Sequence, residues 1–473
     1  MSGLTFKTFS GSSTTLDPSV AKDLATKVQG EILTADSPGF DKVRVVWNAM
    51  IDRKPALIAR CKSADDVVAC VKFATQHDLL VAVRGGGHNI AGNAVCEGGL
   101  LIDLSLMRAV KVDAAKQTAH VEGGALLGDF DQAAQAHGLA TPLGINSTTG
   151  VAGLTLGGGF GWLSRKHGLT LDNLLSATVV TAAGEKLTAS AKENSDLFWA
   201  LRGGSGNFGV VTSFEFKLHK IGTEVLSGLI VHPLADAKKV LQYYRDFVAK
   251  APDELAVWFV LRKAPPLPFL PEKWHGKEIL ALAACYFGDL KTGEKLLQPL
   301  RAFGQPIADV IGPTPYIGWQ QVLDPLLTPG MRNYWKSHEF LQIPDAMIDV
   351  IMDFASRLPD PQTELAFAQL GGAIQRVPND ATAYSHREPN FLINVHTRWD
   401  AAANDGKCIA WARDLIKALT PFSTGAVYVN FLTSDEEDRV KMAYGANLAK
   451  LVAVKKKYDP TNLFRMNANI RPM

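Results

Sequence analysis

Four glycine clusters stand out in the first half of the chain. They are RGGGH at residues 84–88, EGGAL at 122–126, GVAGLTLGGGFG at 150–161 and RGGSGNFG at 202–209. Glycine leaves backbone N–H groups unobstructed, and runs of such groups form concavities that hold anions such as a pyrophosphate. One cluster alone would read as a tight turn. Four, spread from residue 84 to residue 209, suit a long, extended ligand, and FAD is such a ligand. The first cluster ends on His88, an imidazole placed where that ligand would lie.

The last cluster contains GSGNFG, a literal G-x-G-x-x-G. A nicotinamide-binding fingerprint needs a strand before it and a helix after it. Here the helix-like NSDLFWAL precedes and the strand-like VVTSFEFKL follows, which argues against that site. The chain has no GxxxxGK[ST], no HExxH and no GxSxG. Two later stretches carry polar residues at the two-residue period of a strand. VYVNF puts Tyr428 and Asn430 on one face, and NFLINVHTRW does the same for Leu392, Asn394, His396 and Arg398.

The elements that must hold these residues change character along the chain. Between about residues 55 and 220, helix and strand signals alternate. Ser63 with Asp65 and Asp66 looks like a helix start, LLVAV reads as a buried strand, and GALLGDFDQAAQAHGL reads as a helix ending at Gly138. A second βαβ-like pattern closes with the hairpin SATVVTAAGEKLTA. From about 221 to 420 glycine thins out and longer strand candidates appear: VLSGLIVH, ELAVWFVLRK, EILALAACYFG, ELAFAQLGGAI and NFLINVHTRW. Helices between them predict an antiparallel sheet covered on one face. The tail carries one more strand, VYVNFL, and the helix AYGANLAKLVAVKKKY.

A net charge of +2 over 473 residues points to neither nucleic acid nor an anionic membrane as partner. The start has no secretory signal pattern, and no apolar run is long enough to span a bilayer. Five scattered cysteines read as reduced packing residues. These features predict a cytoplasmic enzyme, monomer or homodimer, acting on a small molecule.

RGGGHNIAG, GVAGLTLGGGFGWLSRKHGLTLDNL (150–174), LFWALRGGSGNFGVVTSFEF (197–216) and KKKYDPTNLFRMNANI (455–470) together resemble the berberine-bridge-enzyme-like flavoproteins. These lie in the vanillyl-alcohol-oxidase, or PCMH-type FAD, superfamily. The bacterial branch that includes 6-hydroxy-D-nicotine oxidase is the most similar. The resemblance is specific at both chain ends and weak in the middle. It implies an α+β fold: a PCMH-type FAD-binding domain built from both ends, and a substrate domain with an antiparallel sheet covered by helices. The implied bounds are residues 1–220 (core about 52–220), 221–420, and a returning segment 421–473.

The resemblance also implies roles. His88 would bond covalently to the flavin C8 methyl. The family's second link comes from a cysteine, but here GINSTTG (144–150) has Asn146 in that place, so a single link and no cysteine link are expected. That departure disfavours a bulky carbohydrate substrate. Thr149 matches a position that gates oxygen, or is simply packed. FAD would be held by Arg84, Gly85, Gly86, Gly87, His88, Asn89, Gly144, Thr149, Gly150, Gly153, Gly158, Gly159, Gly161, Gly206, Asn207, Gly209, Val210, Asn467 and Asn469. Arg202 and Arg465 could offset charge on the reduced flavin. Tyr428 is the first choice as base or orienting hydroxyl, His396 the second, with Asn430 beside them. Some relatives carry a glutamate base where this chain has Leu392. Some of Trp258, Phe259, Trp319, Tyr334, Trp335, Phe340 and Phe367 would face the flavin. The expected activity is oxidation of an alcohol or amine carbon of a small aromatic, heterocyclic or terpenoid-like substrate, with O2 reduced to hydrogen peroxide. A dehydrogenase with another acceptor, and a redox-silent or non-redox flavin-fold protein, stay open.

Overall fold

The structure is a computed structural model and describes residues 3–473. β1 (Glu31–Leu33), β2 (Leu57–Arg60), β3 (Val81–Arg84) and β4 (Leu100–Asp103) form a sheet in the order β1–β2–β4–β3. α1 (Ala64–Gln76) crosses from β2 to β3, and both strands run parallel to β4. Ser63 starts α1 because its hydroxyl accepts the Asp66 N–H, and two aspartates in the first turn favour the positive end of the helix dipole. Val67, Val71 and Ala74 then pack on Leu57, Leu100 and Ile102. Full burial of each larger aliphatic stabilises by about 1.5–3 kcal/mol.

β5 (Val110–Asp113), β6 (Thr118–Glu122), β7 (Leu174–Val180), β8 (Lys186–Ser190) and β9 (Val210–Lys217) form a second sheet, ordered β8–β7–β9–β6–β5. Every neighbouring pair in it is antiparallel; β6 and β7, both antiparallel to β9, therefore run parallel to each other with β9 between them, so the second βαβ-like pattern is a crossover split by an inserted strand. β7 and β8 form the expected hairpin, closed by a tight turn through Gly184 at φ +72°. α2 (Leu127–Gln135), α3 (Val151–Gly157) and α4 (Ser195–Leu201) share one core with this sheet.

The third sheet comprises β10 (Glu224–Pro233), β11 (Leu255–Lys263), β12 (Glu278–Tyr286), β13 (Ala308–Asp309), β14 (Gly312–Pro315), β15 (Arg332–Phe340), β16 (Glu364–Gln369) and β17 (Phe391–Trp399). Its order is β13–β10–β12–β11–β16–β17–β15, with β14 also on β10, and all pairs are antiparallel. α5 (Ala237–Val248), α6 (Leu290–Arg301), α7 (Asp345–Ala355) and α8 (Asp405–Leu419) cover one face, packing on Val257, Phe259, Phe367 and Val395. The alternate residues Trp258, Ala368 and Leu392 turn the other way, toward Trp162, Leu171 and Tyr428. β15 has no counterpart among the strands expected from sequence. Its helix-facing row mixes Tyr334 and Phe340 with Lys336 and His338, and the Lys336 ammonium is buried against Asp435 and Glu436 at 2.9 and 3.0 Å.

The tail returns to the glycine-rich half. Leu451, Val454 and Tyr458 of α9 (Leu448–Tyr458) join the core of the second sheet. VYVNFL does not form a strand. Tyr428 is extended, and Val429–Phe431 make one 3₁₀ turn closed by the Phe431 N–H on the Tyr428 carbonyl. The segment runs between two cores, with Val427 and Val429 in one and Tyr428 in the other. All five cysteines are buried and unpaired. Among the described residues no helix is long and apolar enough to cross a membrane.

Candidate active site

Two of the glycine clusters touch backbone to backbone. A side-chain carbon on Gly86 would stand 2.3 Å from the Gly150 nitrogen, so only glycine lets the loop after β3 meet the start of α3. This contact forms part of the wall of a long cleft. Gly85, Gly87, His88, Asn89, Gly144, Thr149, Gly153, Gly206, Gly209, Val210 and Asn467 line it with Gly86 and Gly150, and Tyr428, Asn430 and His396 line its far part.

Other residues expected at the site stand behind this wall. Arg84 is buried in a two-point pair with Asp103, at 3.1 and 2.8 Å, at the base of the RGGGH loop. Gly158 lies against the Tyr428 ring, Gly159 donates its N–H to the Tyr428 hydroxyl at 2.8 Å, and Gly161 presses on the Leu143 carbonyl. Asn207 clips the tail, donating to the Ala468 carbonyl at 3.1 Å and accepting from the Ile470 N–H at 2.9 Å. Asn469 is also off the wall, its Oδ1 buried without a partner. Arg202 and Arg465 donate to the Phe198 and Phe9 carbonyls, and neither lines the cleft.

At the junction of the two parts sits His88. Its ring stacks on Trp47, with centroids 5.1 Å apart. Burial lowers its pKa to about 4, so the imidazole is neutral at pH 7. Its Nε2 is 2.9 Å from the Thr148 hydroxyl, and its Nδ1 is 3.4 Å from that of Thr149.

Beyond His88 the cleft becomes an aromatic box of Trp47, Phe160, Trp258, Trp335 and Phe431. Phe259, Tyr334, Phe340 and Phe367 instead face the helices, and Trp319 lies behind Trp162. The Tyr428 oxygen accepts from Gly159 and, at 3.0 Å, from Asn430 Nδ2. Burial outweighs both bonds and pushes the phenol up to about 12, so it keeps its proton. Across the box, His396 Nδ1 is 3.1 Å from Glu364 Oε1, while Arg262 donates to Glu364 Oε2 at 2.7 Å. Burial alone would raise the Glu364 pKa, but Arg262 and His396 override it and hold it at about 2. Burial lowers the His396 pKa, against the pull of Glu364. His396 Nε2 faces Asn333 Oδ1 at 3.2 Å. Sequence reasoning did not mark Trp47, Phe160 or Glu364. The one signal for Glu364 was its phase with Ala366 and Ala368, small residues that leave room on the same strand face.

The FAD binding domain family matches residues 55–190, and the "Berberine and berberine like" family matches residues 427–471. An FAD-linked oxidoreductase of Dictyostelium discoideum is 32% identical over 459 residues, covering 96% of this chain and 97% of its own. The chain belongs to the berberine-bridge-enzyme-like FAD-linked oxidoreductases. Among solved structures of this family, 6-hydroxy-D-nicotine oxidase from Arthrobacter nicotinovorans superposes with a TM-score of 0.85 at 30% identity, covering 94% of this chain and 98% of its own. A chitooligosaccharide oxidase superposes with a TM-score of 0.84 at 26% identity, covering 96% and 100%. The glycine-lined part of this berberine-bridge-enzyme-like chain fits FAD. Asn467 Oδ1 is buried without a partner, and nothing stands within 4 Å of where a Gly153 side-chain carbon would project. No lysine or arginine lines the cleft, so backbone N–H groups are left to meet a pyrophosphate.

Proposed function

We propose that this chain is an FAD-linked oxidase that oxidises the carbinol carbon of a small ring-bearing alcohol and passes the electrons to O2. One observation carries the reading: the glycine-lined cleft runs past a neutral His88 into an aromatic box that holds both a proton-keeping phenol and a carboxylate-backed imidazole. Bound FAD supplies the two-electron acceptor for hydride. Tyr428 donates a hydrogen bond to the substrate oxygen, keeping its proton, and orients the carbon. His396 receives the hydroxyl proton at Nε2, where the substrate hydroxyl takes the place of the 3.2 Å Asn333 contact, while Glu364 at Nδ1 balances the charge that forms on the ring. Trp47, Trp258 and Trp335 hold the ring and exclude water.

An alcohol is favoured over an amine by charge. Arg262 and Arg398 place two guanidiniums against the one carboxylate of Glu364. Glu364 has both oxygens engaged, so an ammonium finds no free counter-ion. A single covalent link through His88 follows from the neutral imidazole and from Asn146, an amide that cannot form a thioether. Thr149, on the cleft wall beside His88, has nearly the shape of valine, which supports access for O2. Five unpaired thiols support a reducing compartment.

Acid denaturation tests the site map first. A yellow pellet from the wild type, colourless in His88→Ala, supports the link; yellow in the supernatant removes it. Oxygen uptake during turnover of an aromatic alcohol panel then tests the acceptor. Anaerobic bleaching with no oxygen uptake would make the protein a dehydrogenase, and a flavin that no alcohol bleaches would end the oxidase reading.

A further inference from the structure

Asn146 cannot be turned over in its site. Its Oδ1 accepts the Thr148 backbone N–H at 3.0 Å, and its Nδ2 donates to the Leu327 carbonyl at 3.2 Å. Exchanging the two ends would set donor against donor and acceptor against acceptor. The same Oδ1 lies 2.6 Å from the Thr148 hydroxyl. An amide oxygen only accepts, so the hydroxyl spends its one hydrogen there. Thr148 Oγ1 also lies 2.9 Å from His88 Nε2, and toward that nitrogen it can only accept. His88 must therefore supply the hydrogen of this contact.

We propose that Asn146, acting through Thr148, holds His88 in the tautomer with its hydrogen on Nε2, so that Nδ1 is the bare nitrogen that bonds the flavin. The inference rests on the reading of His88 as the link. Asn146 and Thr148 are then positioning residues: they act through the Thr148 hydroxyl on the His88 ring and decide which ring nitrogen is nucleophilic. Burial keeps the ring neutral, so one nitrogen is always bare and the relay chooses which. The contact of Nδ1 is the weaker one, Thr149 Oγ1 at 3.4 Å, and is readily given up. Overall the methyl carbon and the imidazole each lose one hydrogen, one C–N bond forms, and O2 takes the two electrons and two protons as hydrogen peroxide.

The test uses the full chain, expressed under riboflavin limitation and then supplied with FAD. The covalent fraction is followed as fluorescent protein on denaturing gels, and total bound FAD as visible absorbance. Thr148→Val and Asn146→Ala are expected to slow linkage about tenfold or more, which is about 1.4 kcal/mol in the barrier, with bound FAD unchanged. Thr148→Ser, which keeps the hydroxyl, should restore the rate. Linkage at the wild-type rate in both variants, or no rescue by serine, overturns the relay. A second readout is the 15N shift of the His88 ring, assigned by its loss in His88→Ala. Hydrogen on Nε2 in the wild type, shifting toward Nδ1 in Asn146→Ala, supports the relay; hydrogen on Nδ1 in the wild type overturns it. If the wild type binds FAD without a bond, the covalent reading falls and the 15N shifts alone decide the relay.

Discussion

Asn430 Nδ2 lies 3.0 Å from the Tyr428 hydroxyl oxygen, and the Gly159 N–H reaches the same oxygen from another side at 2.8 Å. Two donors fill the oxygen's acceptor positions, so its own hydrogen is turned out for a ligand. Tyr428→Phe removes that donor. It should lower kcat by about tenfold to a hundredfold while FAD stays bound. It also strands the Gly159 N–H and the Asn430 amide, at a stability loss of about 1–3 kcal/mol. Steady-state kinetics with flavin content measured on the same sample checks this; an unchanged kcat would leave Tyr428 as packing only.

Glu364→Gln should hurt both stability and turnover. The Glu364 carboxyl titrates at about 2 in the fold, below its value in the unfolded chain. Its pair with Arg262 and His396 therefore stabilises fully above the unfolded pKa, and that share is lost as pH falls toward about 2. At neutral pH the glutamine leaves Arg262 buried without its counter-ion. Breaking such a pair typically loses about 3–5 kcal/mol. Urea unfolding at pH 7 measures the loss. Kinetics should show a lower kcat with the limb assigned to His396 moved to lower ionisation, because the imidazole no longer has a carboxylate to meet its proton. An unmoved pH profile would remove His396 as proton acceptor.

How far the sequence disclosed this site follows from the kind of signal each residue carries. The RGGGH loop and the GVAG turn are legible because glycine runs have few uses, and close backbone approach is one of them. His88, Tyr428 and His396 were within reach for the same reason: they sit in motifs or on clean alternation. Trp47 was hidden because it lies in an irregular segment ahead of β2, with no period to give it a direction. Glu364 was hidden because its meaning comes from Arg262 and His396, on neighbouring strands joined only by sheet register. VYVNF misled because Val, Tyr and Phe favour strands, yet β propensity describes fit to a half-buried pleated surface and this segment bridges two cores instead. β15 was passed over because its buried Lys336 breaks the apolar row, and the carboxylates that neutralise it come from a distant loop.

Glu339 on β15 predicts an unusual pH response. It stands opposite Leu392 in the register, fully buried, with no ion-pair partner among the described residues and only the Tyr384 hydroxyl beside its carboxyl. Burial, outweighing the Tyr384 hydroxyl, pushes its pKa up to about 8. Between the unfolded value near 4.3 and about 8, the native state therefore holds a proton that the unfolded chain has lost. Stability falls as pH rises through that window, by about 1.4 kcal/mol for each pH unit at most. Glu339→Gln removes the liability. Its urea midpoint should lie close to the wild type at pH 5 and clearly above it at pH 8. A gap that does not widen with pH would mean that the carboxyl is ionised and paired in solution.

The charge of the box predicts which ligands it accepts. Arg398 stands behind the wall, 5.6 Å from the Trp47 ring centroid, and keeps its charge, with burial lowering its pKa only to about 10. The indole N–H groups of Trp258 and Trp335, both on the cleft wall, are without acceptors. Against these donors stands Asn394 Oδ1, an unpaired acceptor on the same sheet as Trp258 and Trp335. A ligand presenting oxygen lone pairs therefore gains partners, while an ammonium faces donors and a net positive sheet. Benzoate, benzyl alcohol and benzylamine share one ring and nearly one size, and they carry negative, zero and positive charge at pH 7. Their binding can be followed by calorimetry and by the shift of the flavin absorption bands. Benzylamine should bind at least about tenfold more weakly than benzyl alcohol, with benzoate at or above the alcohol. Arg398→Gln should narrow the span between benzoate and benzylamine. If benzylamine binds tightest, or if none of the three binds, the box does not select by charge and the preference for an alcohol over an amine is lost.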